Sequence, residues 1–503
     1  MKTRNLFLSL FAFAALCACN KEAQPEESKL LGENAYMDVN IVAPGVDTKT
    51  VTGTGFANGG ENEHNVTNVL IAFYTSAGNY VSSTTSVTFA WPNPDETSDN
   101  PEVERISSAK VVLTGKTIIP RKMVVFLNYS DAIKTAVESS ANLTELQSKI
   151  SNVVKISNDG FVMTNSTYMD DGSNVVFATP IEEDDIYQQP TPPAGYTPVE
   201  VYVERLAAKV NVTTPGATGS IIQPLELNNG TTIYYYPVIE GCNLTSTAKN
   251  SYIIKNISNY DFTNWADNEW NDANNYRSYW ATTYGTNDDD YDLLTYDGIG
   301  STPNVSVYTH ENTNQEHLPK LLVKASIKLS NDGTSYSDIS IGNLVKVGPT
   351  YYREADLLEY IVQLLKNDGI TNNSSEFTTN DLQITYTSGY NSKVEFKTGV
   401  VPSDESEATT ILSPYQNVLY WLDGQSYFFT NIEHFGDDNN NKYGIVRNHV
   451  YNINVTSIAG LGTPYAGGIG DITPEKPEDL TYELQAKINI LKWKVVNQNV
   501  ALN

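Results

Sequence analysis

Apolar and polar residues alternate with a period of two over much of the chain, and that period predicts strands. Met37, Val39, Ile41 and Ala43 alternate with Asp38 and Asn40, and Pro44-Gly45 closes the run. Strands are expected again at 69–74, 111–113, 123–128, 199–212, 321–329 and 448–458. Two stretches break the alternation. In residues 132–150, Ile133, Ala136, Val137, Leu143, Leu146 and Ile150 recur at helical spacing, which predicts a helical piece beside a sheet. In residues 355–366, Leu357, Leu358, Ile361, Val362 and Leu365 share one helix face.

The C-terminal pattern is the longest. Leu480, Tyr482, Leu484, Ala486, Ile488 and Ile490 are apolar, and Thr481, Glu483, Gln485, Lys487 and Asn489 lie between them. The phase then shifts to Leu491, Trp493 and Val495, and the whole segment follows a Gly/Pro-rich stretch at 460–478. A strand of this kind must bury its apolar face, either in the chain's own sheet or elsewhere.

The 503 residues carry 32 Tyr against 15 Phe, and enrichment in aromatic and β-branched residues favours strands. The fold class expected is all-β, and an acidic, Pro-rich stretch at 180–198 divides the chain into two domains. The net charge of -27 excludes a nucleic-acid partner and repels an anionic membrane surface. Of the 3 cysteines, Cys17 and Cys19 are N-terminal and Cys242 stands alone in the body. No disulfide framework follows, and Cys242 reads as a small buried apolar residue.

Lys2 and Arg4 precede an apolar run at residues 6–16, too short to cross a membrane. The run ends in Leu16-Cys17-Ala18-Cys19, which resembles a bacterial lipobox. That resemblance implies a signal peptide over residues 1–18, cleavage before Cys19 and fatty-acyl (palmitate) modification of Cys19. Several acyl chains anchor stably where one does not. Residues 20–34 are polar and acidic and read as a tether.

Signatures of catalysis are missing. The chain has no G-x-S-x-G, H-E-x-x-H, phosphate loop or dinucleotide fingerprint, and its five His lack metal-ligand spacing. No catalytic residue, metal or cofactor is expected. The acidic run 286–292 and Asp437-Asp438-Asn439-Asn440-Asn441 read as solvated turns, the former also as a weak calcium candidate. Trp265, Trp270, Tyr276, Tyr279, Trp280 and Tyr284 could stack sugar rings or pack a core.

Several segments in order resemble the major subunit family of the short fimbriae of Bacteroidales. They are the lipobox with its tether and first strand, Met123-Val124-Val125-Phe126-Leu127-Asn128, and Val203-Glu204-Arg205-Leu206-Ala207-Ala208-Lys209-Val210. Gly444-Ile445-Val446-Arg447-Asn448-His449-Val450-Tyr451-Asn452-Ile453 and Ile490-Leu491-Lys492-Trp493-Lys494-Val495 complete the set, with Lys492 where that family has proline. The resemblance implies a non-enzymatic fimbrillin built of two tandem transthyretin-like Greek-key β-sandwich domains with a few short helices. It implies a lipidated propeptide with a removable first strand at 19–49, domains at 50–198 and 199–478, and a donor strand at 479–503. It further implies a trypsin-like maturation protease, and donation of the strand bearing Leu480, Tyr482, Leu484, Ala486, Ile488, Ile490 and Trp493 to another copy. Lys49 is the only Lys or Arg between the first strand and Val69, so cleavage between Lys49 and Thr50 is expected. Expected partners are other copies in a filament, accessory and anchor fimbrial subunits, the protease and unidentified adhesion ligands. Membrane contact is expected only through the lipid of an outer-membrane precursor, with the mature subunit in the extracellular fimbrium. The competing expectation from the aromatic cluster is a lipid-anchored surface glycan-binding protein.

Overall fold

The computed structural model describes residues 34–44, 63, 65–89, 103–114, 118–153, 160–170, 174–216, 219–257, 271–272, 276–434, 443–467, 484–489 and 494–502. The chain is all-β, with strands from Asn34–Pro44 to Lys494–Leu502 and four α-helices among the described residues. In the N-terminal part the strands run Tyr80–Thr84, Val69–Tyr74, Lys122–Leu127, Met163–Asn165, Val199–Arg205, Asn34–Pro44, Val103–Thr114 and Val87–Phe89 across one continuous sheet. The sheet folds over a core made by Met37, Val39, Ile41, Ile71, Phe73, Val111, Val125, Met163 and Val203.

Val69–Tyr74 is buried at every position. Its odd residues, such as Ile71, enter that core, and its even residues, such as Leu70, face a second apolar layer under the helices. A strand covered on both faces has no polar side to show in sequence. The cover consists of Asp131–Ser139 and Leu143–Gln147. The single helical piece expected over 132–150 is thus two helices. Ser140 adopts an extended backbone between them, and Ser130 and Asn142 cap the two N-termini with their side-chain oxygens.

Val199–Arg205 pairs in parallel with the first strand, so it completes the N-terminal sheet. The domain break expected before Val199 is corrected accordingly: the chain leaves this sheet after Arg205. Ala208–Thr213 is the next strand and opens a second sandwich. One of its sheets runs Val305–Thr309, Ala208–Thr213, His449–Ile458, Lys494–Leu502 and Leu484–Asn489. The other runs Gln223–Glu226, Thr232–Thr245, Lys320–Ser330, Gln425–Asn431 and Thr463–Pro464. Val210, Leu244, Val323, Tyr451 and Ile453 share its core.

A third core separates from the second, where a single sandwich over 199–478 was expected. Five strands between Leu344 and Trp421 pack on Glu354–Asn367 and Glu405–Leu412. All of it lies between Lys320–Ser330 and Gln425–Asn431, which pair directly with each other, so it is an insertion between two neighbouring strands. The helix face expected from Leu357, Leu358, Ile361, Val362 and Leu365 is buried there.

Candidate functional site

The first strand is internal to its sheet. From Asn34 to Pro44 it pairs antiparallel with Val103–Thr114, and from Val39 to Val42 it pairs parallel with Val199–Tyr202. Ala35, Met37, Val39 and Ile41 are 0–1% exposed. Burial of Met37, Val39 and Ile41 contributes about 1.5–3 kcal/mol each. Removing this strand would leave a groove with two unpaired edges and an apolar floor formed by Ile71, Phe73, Val125, Met163 and their neighbours.

Residues 181–196 continue one wall of that groove. Val199 stands opposite Val39, so residues 34–38 extend beyond the end of the parallel partner. Tyr187 takes over there: the Tyr36 N–H donates to the Tyr187 carbonyl at 2.7 Å, and the Tyr187 N–H donates back at 2.9 Å. The Tyr187 hydroxyl donates to Asp38 Oδ1 at 2.9 Å. The Asp38 N–H donates to the Tyr196 hydroxyl at 3.1 Å, and that hydroxyl donates to the Asp185 carbonyl at 2.9 Å. Burial, then the Asp38 carboxylate, pushes the Tyr187 hydroxyl up, so it stays protonated and remains a donor.

The other end of the first strand runs toward a buried polar junction with the second sandwich. Arg205 Nε donates to the Glu63 carbonyl at 2.9 Å. Lys209 Nζ meets Glu63 Oε1 at 2.5 Å, and the Tyr308 hydroxyl donates to the same oxygen. Asn128, at φ 52, is fully buried. Its Oδ1 accepts from the Thr67 N–H at 2.8 Å, and its Nδ2 donates to the Asn65 carbonyl at 2.6 Å. The chain that follows the proposed cut is thereby fastened at 63, 65 and 67. At the same junction Lys255 meets Glu204 at 2.7 Å and Arg447 meets Glu311 at 2.5 Å, all four side chains being at most 2% exposed. The Asn448 N–H donates to the Ala207 carbonyl at 2.7 Å.

Cys19, Lys49, Thr50, Leu480, Tyr482, Ile490 and Trp493 lie outside the described residues, as do Trp265, Trp270 and the run 437–441. Leu484, Ala486 and Ile488 fall in Leu484–Asn489, which pairs antiparallel with Lys494–Leu502. That strand in turn pairs parallel with His449–Ile458, so the C-terminal hairpin forms one edge of the second sandwich of its own chain. Tyr279 and Trp280 are buried at 5% and 4% exposure, and Tyr276 stacks on Tyr202 with ring centres 3.8 Å apart. Tyr279 and Trp280 thus pack the interior, and Tyr276 packs face to face with another tyrosine. In the acidic run, Asp290 Oδ2 accepts from the Thr286 and Asn287 N–H groups, which closes a turn. Among the described residues no group of three or more His, Cys, Asp or Glu side chains is placed to hold a metal ion. Cys242 is buried, its thiol pushed up to about 12 by burial. Sequence reasoning passed over Tyr187, Tyr196 and Glu63, whose contacts with Asp38, Arg205 and Lys209 span most of a domain in sequence.

Residues 419–499 match the family model described as major fimbrial subunit protein type IV, fimbrillin, C-terminal. No curated protein matches the chain. Among solved structures, a fimbrilin from Porphyromonas gingivalis W83 is 14% identical, with a TM-score of 0.31, over 92% of this chain and 97% of that one. The tip fimbrial protein Mfa3 from Porphyromonas gingivalis is 12% identical, with a TM-score of 0.26, over 60% and 84%. A fimbrial assembly protein from Parabacteroides distasonis is 11% identical, with a TM-score of 0.29, over 59% and 83%.

Proposed function

We propose that this chain, whose residues 419–499 match the C-terminal fimbrillin family model, is a non-enzymatic structural subunit of a surface fimbria, assembled by strand exchange and supporting adhesion. The observation that carries the reading is the first strand. Asn34–Pro44 fills an internal position of the sheet, yet its connection to the body passes through residues 45–62, which hold Lys49 as the only basic residue. One cut there frees the strand without interrupting any other described strand. The vacated groove then accepts the C-terminal strand of another copy, with Leu480, Tyr482, Leu484, Ala486, Ile488 and Ile490 facing the apolar floor and Trp493 beyond them. In the unassembled chain residues 484–489 rest on the sheet edge, and edge strands are the ones available for pairing with another chain. The precursor is exported as a lipoprotein through Cys19, is matured at the cell surface by a trypsin-like protease, and ends in the extracellular filament with accessory and anchor subunits.

Deletion of residues 480–503 tests this. A secreted, folded monomer that forms no filament in electron micrographs is the expected result, and Ile488→Glu should reproduce it through one charge forced into an apolar groove. Long filaments from either variant would remove the C-terminal strand from the mechanism.

A further inference from the structure

We propose that residues 181–196 form a latch over the groove that recognises its occupant by an outward-facing carboxylate, and that Glu483 of a second copy of this chain replaces Asp38 beneath it. The proposal rests on the strand-exchange reading above and assigns its register.

The latch touches the first strand on the edge that the parallel partner leaves open, opposite its pairing with Val103–Thr114. Tyr187 exchanges both backbone hydrogen bonds with Tyr36, its ring stacks on Tyr36 at 6.0 Å, and Tyr196 packs edge-on against Tyr187 at 5.1 Å. Backbone contacts of this kind accept any strand. The selective contact is the Tyr187 hydroxyl on Asp38 Oδ1. Tyr187 is 6% exposed, so an occupant with an apolar or cationic residue at this position would leave a protonated phenol without its acceptor. A carboxylate also makes the stronger, charge-assisted bond.

The latch is anchored at its ends in the sandwich and meets the first strand through its middle. Ile181 is buried in the sandwich core, and its N–H donates to the Arg121 carbonyl at 2.8 Å. Val199 begins the next strand. Between them lies a cavity of about 690 Å³ lined by Ile119, Glu183, Tyr187, Pro193 and Tyr196. This space opens to solvent, so the segment bordering it can lift without displacing a core.

The C-terminal strand carries one matching side chain. From residue 480 to residue 503 Glu483 is the only Asp or Glu, and it belongs to the odd-numbered polar face. Tyr482 and Leu484 flank it as Met37 and Val39 flank Asp38. An apolar face alone excludes one-residue slips but allows two-residue slips. A two-residue slip would place Thr481 or Gln485 under Tyr187, so the latch fixes the remaining choice.

The test uses the full chain nicked after Lys49, with loss of the first-strand fragment followed by native mass spectrometry. Tyr187→Phe combined with Tyr196→Phe should release the fragment at least ten-fold faster, and so should Asp38→Asn, which leaves the body untouched. Unchanged release in both would overturn the latch. Synthetic peptides spanning residues 478–493 are then offered to the emptied groove. The Glu483→Gln peptide should bind about ten-fold more weakly than the native one to the wild-type body, and equally to the double-tyrosine variant. Equal binding to both bodies would overturn the assignment of Glu483 while leaving strand exchange intact. Failure of every peptide to enter would instead overturn strand exchange, with the fragment-release result still deciding the latch.

Discussion

The Arg447 guanidinium and the Glu311 carboxylate meet at 2.5 Å with neither side chain exposed. Arg447 Nε also reaches Glu311 Oε2 at 2.8 Å, and Nη2 donates to Ser251 Oγ at 2.7 Å and to the Tyr252 carbonyl at 2.6 Å. The pair stitches three remote segments together beneath the interdomain junction. Removing one member of a buried pair leaves an uncompensated charge, whereas replacing both by apolar residues is often tolerated. Arg447→Met should therefore cost about 3–5 kcal/mol in urea unfolding. Arg447→Met with Glu311→Leu should recover most of that loss. A double variant as unstable as the single one would show that the hydrogen bonds to Ser251 and Tyr252, not the ion pair, hold this region.

Two of the segments that carry the family resemblance, through Val203-Glu204-Arg205 and Val446-Arg447-Asn448, meet at this junction. Both strings are legible in the sequence, but their meeting is not. Arg205 Nη1 lies 3.4 Å from Asn448 Oδ1 across 243 residues, and Asn448 sits at φ 59, a conformation that favours Asn over most side chains. The first strand, with Met37, Val39 and Ile41 buried on every second residue, and the helix face of Glu354–Asn367 were readable because local period reports local burial. The latch was not readable in the same way. Its Pro and acidic content marks a break in regular structure, and its function depends on Tyr187 and Tyr196 reaching Asp38 from 149 and 158 residues away. The insertion between Leu344 and Trp421 was hidden for a related reason: its strands resemble those of the sandwich, and only their pairing partners separate them.

Acidification should weaken the fold before the carboxylates titrate. Burial lowers the proton affinity of both His310 and His449; Arg447 adds to this at His310, and His434, Lys255 and Arg277 add to it at His449, while a carbonyl contact opposes it at each ring and Glu311 and Asp292 oppose it at His310. Each ring places Nδ1 on a carbonyl, at 3.0 Å on Ala248 and 2.8 Å on Arg447. In the unfolded chain both take up protons near the ordinary His value of about 6.5. The unfolded state then binds more protons than the folded one, so stability falls as pH drops below about 6.5, by up to about 1.4 kcal/mol per histidine per pH unit. Urea midpoints measured at pH 7.5 and 5.5 should differ in that direction, and His449→Gln should flatten the difference. A pH-independent midpoint would mean that neither ring is protonated preferentially in the unfolded state.

Asn128 should matter more than an ordinary surface amide. It bridges Asn65, Thr67 and Phe161 from a buried site, with Nδ2 reaching the Phe161 carbonyl at 2.9 Å. Asn128→Ala would leave two carbonyls and one N–H without these partners and keep a strained φ, at a cost of about 2–4 kcal/mol. Limited proteolysis should then cut between residues 63 and 69 faster than in the wild-type chain. Unaltered resistance would place the fastening of this segment on Glu63 alone.

Maturation is expected between Lys49 and Thr50. The first strand pairs on both edges and buries its apolar face, so it does not leave while tethered, and the cut has to fall before the chain is fastened at Glu63. Lys49 is the only Lys or Arg in that interval. A cut there would leave the new N-terminal segment fastened through Glu63 and Asn128, so the body would stay intact as the strand departs. N-terminal sequencing of purified filaments should therefore read Thr50-Val51-Thr52. Lys49→Gln should leave lipidated precursor in the outer membrane and no filaments, while its thermal unfolding midpoint stays at or above that of the matured subunit. Cys19→Ser should block sorting to that membrane without altering the folded domains, which separates the anchor from the cut. Filaments whose subunits still begin at Cys19 would show that the first strand never leaves its groove.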